Sequence, residues 1–207
     1  PSVAFEHVSS LKPVEMIFDD SLIKSFDAIV IYSLRLFSKS TAKLQAKILD
    51  LLCQLLEFSV NYMQLDAKKI FVEFVLRQLE YIEDGLVIDA EILTPKIIEF
   101  LIHLTKLKDK KLITMPKIIN LIDVQLAATN PHAKECGIQA LLTLSKEIFF
   151  KTHQLPSTTD EVVLEAHTKD INALKEVTMS MMSKFIHHKD VQQHLEWILL
   201  KSKEGVD

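Results

Sequence analysis

The chain has 207 residues, 48% of them apolar and 25% charged, with a formal net charge of −4. That is length for one domain or two small ones, too apolar for a disordered polymer and too acidic for a nucleic-acid-binding face. Three glycines and six prolines are too few for a many-turned β architecture and favour long helices.

In chain order, the first helix is expected within residues 14–37, where Leu22, Phe26, Ile29, Val30 and Phe37 share one stripe at helical spacing. Asp19 and Asp20 read as a cap with dipole-favourable charge. General acid–base work would instead need two carboxylates with opposed environments in one cleft. After the polar break Ser38–Thr41, with Ser40 or Thr41 as N-cap, a second helix is expected over 42–60. Leu44, Ile48, Leu51, Leu52 and Leu55 form its apolar face; Lys43, Lys47, Asp50, Gln54 and Glu57 form its wet one. Asp66 is expected to cap a third helix over 67–83, with Ile70, Phe74, Val75, Leu79 and Ile82 inward and Gly85 as its stop.

Thr94-Pro95 reads as cap and first position of a fourth helix ending near Leu107, with Asp89 as an alternative cap. The run Lys106, Lys108, Asp109, Lys110, Lys111 is a polar loop; a phosphate group or an acidic partner is the alternative to simple solvation, and no aromatic is interleaved for base stacking. A fifth helix is expected over 116–128. A sixth starts at Asn130-Pro131 and runs to about Phe150 through Ile138, Leu141, Leu142, Ser145 and Ile148, with Gly137 tolerated where a neighbouring helix packs closely. Thr152–Asp160 reads as a linker. Two helices follow, over 161–187 (Leu174, Val177, Met181, Phe185, Ile186) and 189–203 (Val191, Leu195, Trp197, Ile198, Leu199). Met179, Met181, Met182 and Trp197 suit the core of that last pair, or an adaptable docking surface.

These pairs restart near Asp20, Asp66, Ile113 and Asp160, a period of about 46–47 residues that suits two-helix units of the HEAT and armadillo type. Such a unit cannot bury its apolar face alone and stacks on a neighbour. The expected fold is all-α: an α-solenoid of about four antiparallel pairs, 14–60, 66–107, 113–150 and 160–203, forming a single HEAT-repeat fragment over 1–207.

Chemistry-bearing motifs are scarce. Isolated glycines cannot supply a phosphate loop or a nucleophile elbow, and neither H-E-x-x-H nor paired C-x-x-C occurs. His187, His188 and His194, with Asp190, come nearest to a metal site, but their spacing matches no zinc pattern. Cys53 and Cys136 lie inside helical patterns and read as buried, reduced thiols of a cytosolic or nuclear protein. Residues 1–10 carry no signal-peptide pattern, and no apolar run is long enough to span a bilayer. No catalytic, cofactor-binding or metal-ligating residue is therefore assigned, no cofactor is expected, and the binding surface stays unassigned.

Residues 44–150 resemble the huntingtin family, in the late part of its amino-terminal HEAT-repeat region. The resemblance rests on Leu49-Asp50-Leu51-Leu52, Val60-Asn61-Tyr62, Leu65-Asp66, Phe71–Glu83 and Met115–Leu121, of which Phe71–Glu83 (Phe-Val-Glu-Phe-Val-Leu-Arg-Gln-Leu-Glu-Tyr-Ile-Glu) is the most specific. Val177–His187 and Asp190–Leu199 fit more loosely, and the first forty residues fit least. The departures, Met63 after Val60-Asn61-Tyr62 among them, suggest a distant, invertebrate relative. The resemblance implies a non-enzymatic cytoplasmic scaffold for vesicle transport, endosomal traffic and autophagy. Its implied partners are adjacent HEAT repeats, a TPR-type huntingtin-associated protein and trafficking factors, with no nucleic acid and no membrane insertion.

Two other readings compete. A HEAT- or armadillo-type transport receptor or regulatory subunit would carry acidic inner helices, whereas here the acids are spread. An all-α enzyme would need a cleft of convergent titratable groups, for instance around Glu99, His103 or His132.

Overall fold

The computed structural model describes residues 20–58, 62–66, 68–107, 112–151 and 160–204, and every regular element among them is helical. The chain divides into two compact units, Pro1–Cys136 and Gly137–Asp207.

The first unit holds α1 (Asp20–Phe37), α2 (Ala42–Glu57), the single turn α3 (Tyr62–Leu65), α4 (Ile70–Glu83), α5 (Ala90–Thr105), α6 (Met115–Ala127) and the start of α7 (Pro131–Lys146). Within it α1 packs on α2 and α4 on α5; between pairs α2 packs on α5 and α4 on α6, the α2–α5 contact being the most extensive. Like helices thus lie against like helices of the next pair, the stacking expected of a HEAT array. The residues that make this possible are apolar on more than one side. In α2, Ile48, Leu49, Leu52 and Leu55 are buried together with Ala46 and Cys53. In α5 the positions that escape burial are Glu91, Ile92, Pro95, Lys96, Glu99 and the last residue, Thr105.

An aromatic chain ties the pairs together. Phe37 meets Phe71 and Phe74 edge-on at centroid distances of 5.0 and 5.9 Å, Phe71 meets Phe100 at 5.7 Å, and Phe100 meets Tyr62 at 5.8 Å. Edge-to-face pairs of this kind add to simple area burial. Beside them Asp66 is buried, accepting from Tyr62 Oη at 2.8 Å and from the amides of Phe71 and Val72 at 3.1 and 3.2 Å. It therefore caps α4 as its sequence position suggested. It does so from outside the helix, because α4 starts at Ile70 and the residue before it, Lys69, is left-handed (φ 57°) with no side-chain cap bond. Burial, then the Asp66 carboxylate, push the Tyr62 phenol above its ordinary value, which keeps it a donor.

Several boundaries move. Helix α5 begins at Ala90, so the alternative cap position Asp89 is the real one, although its side chain makes no cap bond. Pro95 consequently lies inside the helix. Its missing N–H removes the intrahelical bond to the Glu91 carbonyl, while the neighbouring Thr94 Oγ1 donates to the Ala90 carbonyl, one residue earlier, at 2.8 Å. Thr41 holds the N-cap position of α2 without a side-chain cap bond, while Ser40 Oγ donates back to Leu36 O at 2.8 Å. Asn130 caps α7 as expected, its Oδ1 accepting from His132 N at 2.9 Å. Asp19, Lys108–Lys111 and most of the expected linker 152–159 lie outside the described residues.

The second unit comprises the rest of α7, a π-helical turn Glu147–Lys151, α8 (Glu161–Ser183) and α9 (Lys189–Glu204). Ile138, Leu141, Leu142, Ser145 and Ile148 are all buried, as their spacing required. The expected helix over 161–187 stops at Ser183, where a turn takes the chain into α9. The π turn, unforeseen in the sequence, widens the helix just where two phenylalanines follow one another. Phe150 stacks on Trp197 of α9 at 3.8 Å, and Lys175 of α8 lies 5.8 Å above the Phe149 ring.

Candidate interaction surface

The polar groups inside the first unit are organised by the repeat itself. Lys43 Nζ lies 3.4 Å from Asp89 Oδ2, Asp50 Oδ1 2.6 Å from Lys96 Nζ, and Glu57 Oε1 3.3 Å from His103 Nε2. The partners in each pair are 46 residues apart, and successive pairs step by seven residues, or two helical turns. Helices α2 and α5 therefore run parallel and in register, with the sequence period as their offset. Gln125 Nε2 donates to Leu79 O at 2.6 Å, again across 46 residues, tying α6 to α4.

Lys96 also reaches Glu99 Oε2 at 3.2 Å. Burial opposes its charge, but the bond to Asp50 and the charge of Glu99 outweigh it and hold the ammonium above its ordinary range. His103 is buried, with Nδ1 2.9 Å from the Glu99 carbonyl and Nε2 on Glu57. Further along, His132 Nε2 lies 3.6 Å from Glu91 Oε2. The titratable groups on which an enzyme reading would lean are thus engaged. The Glu57–His103 contact joins neighbouring helix pairs, whereas Glu99 pairs with Lys96 of its own helix.

Both cysteines are free and buried. Burial, followed by the Glu99 and Asp50 carboxylates, pushes the Cys53 thiol far up; burial also raises Cys136, partly countered by a hydrogen bond with Thr94. Neither carries the lowered pKa of a reactive thiol.

In the second unit the three histidines part company. His187 is exposed in the turn after α8, and His188 is half-buried beside it. His194 is 6% exposed, its Nε2 2.8 Å from Ser145 Oγ and its ring beside those of Phe150 (6.4 Å) and Trp197 (5.5 Å). Burial, then Lys146, lowers its pKa to about 4. Asp190 accepts from Gln139 Nε2 at 2.9 Å. Among the described residues no cluster of three or more His, Cys, Asp or Glu side chains could hold a metal ion, and no described helix is long and apolar enough to cross a membrane.

Several residues assigned to apolar faces by periodicity are exposed: Ile29, Leu44, Ile70, Val177, Ile186 and Leu199. Met181 and Met182 are core, whereas Met179 and Trp197 reach solvent. Leu86 and Ile88, in the corner between α4 and α5, had no role in the sequence reading, yet they are 70% and 84% exposed. A run of aliphatics between two acids, Asp84 and Asp89, was the available signal.

The family model described as "Huntingtin, N-terminal HEAT" matches residues 14–206. The chain is also 34% identical over 189 residues to the huntingtin of Takifugu rubripes, an alignment covering 89% of this chain and 6% of that protein. The sequence thus spans a small part of that relative's length. With a repeat register written into its ion pairs and a family match over nearly its whole length, the chain belongs to the huntingtin family, as a segment of its amino-terminal HEAT-repeat region.

Proposed function

We propose that the chain is a non-catalytic scaffold segment that acts through protein–protein contacts in vesicle transport, endosomal traffic and autophagy in the cytoplasm. The observation that carries this reading is the family match over residues 14–206. The engagement of Asp50, Lys96, Glu57 and His103 in contacts between helix pairs supports it. Polar groups used to hold α2 on α5 leave the outer faces and corners of the helices for partners, in the manner of repeat proteins.

The partners we propose are adjacent HEAT repeats, a TPR-type huntingtin-associated protein and trafficking factors. The test combines calorimetric titration of the chain with a purified TPR-type partner and tracking of vesicles in cells that express the chain in excess. Saturable binding and slowed vesicle movement support the proposal. No binding together with unchanged movement, or turnover of a small substrate by the chain, overturns it.

A further inference from the structure

We infer that the corner between α4 and α5 is a preorganised docking knob for a basic amphipathic helix of a partner protein, an inference that rests on the scaffold reading and names the kind of partner. Three observations carry it.

The first is exposure. Ile88 is the most exposed of the large apolar side chains described, and Leu86, Tyr81 and Ile92 are exposed with it. The second is rigidity. Leu86 N donates to Tyr81 O at 2.8 Å and Gly85 N to Ile82 O at 3.0 Å, with Gly85 left-handed (φ 72°). This paired closure of a helix end sets Leu86 beside the turn that bears Tyr81. A second positive-φ residue, Asp89 (φ 58°), starts α5, and the Asn130 side chain sits against Gly85 where a Cβ would be. Apolar groups on a fixed backbone bind with a smaller ordering cost.

The third is charge. Between Arg77 and Lys96 there is no lysine or arginine, but there are Glu80, Glu83, Asp84, Asp89 and Glu91. Asp89 and Glu91 meet Lys43 and His132. Glu80, Glu83 and Asp84 stand at the carboxyl end of α4, whose last turn holds no basic residue. Helix dipoles favour cations there, so helix stability does not account for these acids. A partner that presents an apolar stripe flanked by Lys and Arg answers both the aliphatic centre and the acidic border. Anionic lipid and nucleic acid are repelled by the same border.

The test uses the 207-residue chain and a fluorescent amphipathic peptide built of leucine and lysine, about 18 residues long, read by anisotropy at about 50 and about 200 mM salt. Saturable binding that weakens with salt is expected. Leu86→Ser with Ile88→Ser is expected to raise Kd at least about tenfold. Glu83→Lys with Asp84→Lys, which improves the α4 dipole and so preserves folding, is expected to do the same and to flatten the salt dependence. An equal charge change in α8, Glu161→Lys with Glu165→Lys, is expected to leave Kd unchanged.

The inference is overturned if the knob variants bind like the parent, if the α8 variant loses as much affinity, or if a leucine–glutamate peptide binds equally well. Retention on phosphatidylcholine–phosphatidylserine vesicles that depends on Leu86 and Ile88 would reassign the knob to lipid and also overturns it. Failure here leaves the TPR-partner titration to decide the scaffold reading by itself, since that partner can use other faces.

Discussion

Acidification offers the sharpest test of the second unit, through His194. Its ring is packed beside the stacked Phe150–Trp197 pair with Nε2 on Ser145 Oγ, and its pKa falls from 6.5 to about 4. The unfolded chain therefore binds a proton that the folded one refuses between those values. Stability is fully present above pH 6.5 and is lost as the pH falls towards about 4. At about 1.4 kcal/mol per pH unit across that gap, the loss is on the order of 3 kcal/mol, a large part of the stability of a small unit. The charged group that acts on the ring is Lys146, which disfavours the cation; Asp190, one turn earlier on the same helix, is engaged by Gln139. Trp197 is the only tryptophan of the chain and touches the cluster, so its fluorescence during urea unfolding at stepped pH reads this unit. His194→Gln keeps a hydrogen-bonding side chain without the titration. The parent is expected to lose stability between pH 6.5 and 4.5 and the variant to lose far less. Equal pH dependence in the two proteins would refute the assignment.

Four further outcomes follow from the geometry. Asp66→Ala, which strips the α4 cap and leaves the buried Tyr62 hydroxyl without its acceptor, is expected to cost about 2–4 kcal/mol in denaturant unfolding, with Asp66→Asn costing less. Gly85→Ala is expected to cost about 1–3 kcal/mol by the same measurement, because alanine is strained at φ 72° and its Cβ meets Asn130. Lys96→Glu sets a third carboxylate beside Asp50 and Glu99; a loss of about 1 kcal/mol is expected, largely recovered in the double variant with Asp50→Lys, and a thermodynamic cycle showing no coupling would contradict the register pairing. Cys53 and Cys136, buried and with raised pKa, are expected to react with an aromatic disulfide reagent at neutral pH only as fast as the protein opens; prompt labelling in the native state would contradict their placement.

Where sequence reasoning succeeded, the signal was local or repeated. Asn130-Pro131, Asp66 and Gly85 mark helix ends because capping and left-handed stops need particular side chains. The residues picked by spacing in 138–148 are all buried, although Ala140, Leu144 and Glu147, off that stripe, are buried as well. Sequence reasoning failed where a helix is covered on several sides or stops short. The spacing of α2 nominated Leu44, which is exposed, and passed over Leu49 and Cys53, which are buried between two helices. Thr94-Pro95 looked like a start because proline favours first turns, yet a Thr94 hydroxyl bonded to Ala90 O accompanies Pro95 one turn deeper. His194 was grouped with His187 by spacing, whereas the turn after Ser183 separates them and packing buries only one.

The period of about 46 residues, the absence of sheet signals and the family were fixed by the order of residues alone, because each unit spells its own apolar stripe and caps. Only the tertiary structure decided which charges meet: nothing in the spacing of Lys43, Asp50 or Glu57 names Asp89, Lys96 or His103 until two helices lie parallel with that period as their offset. It also decided which aliphatics stay wet, since solvent exposure depends on what a neighbour covers and not on a residue's own hydrophobicity.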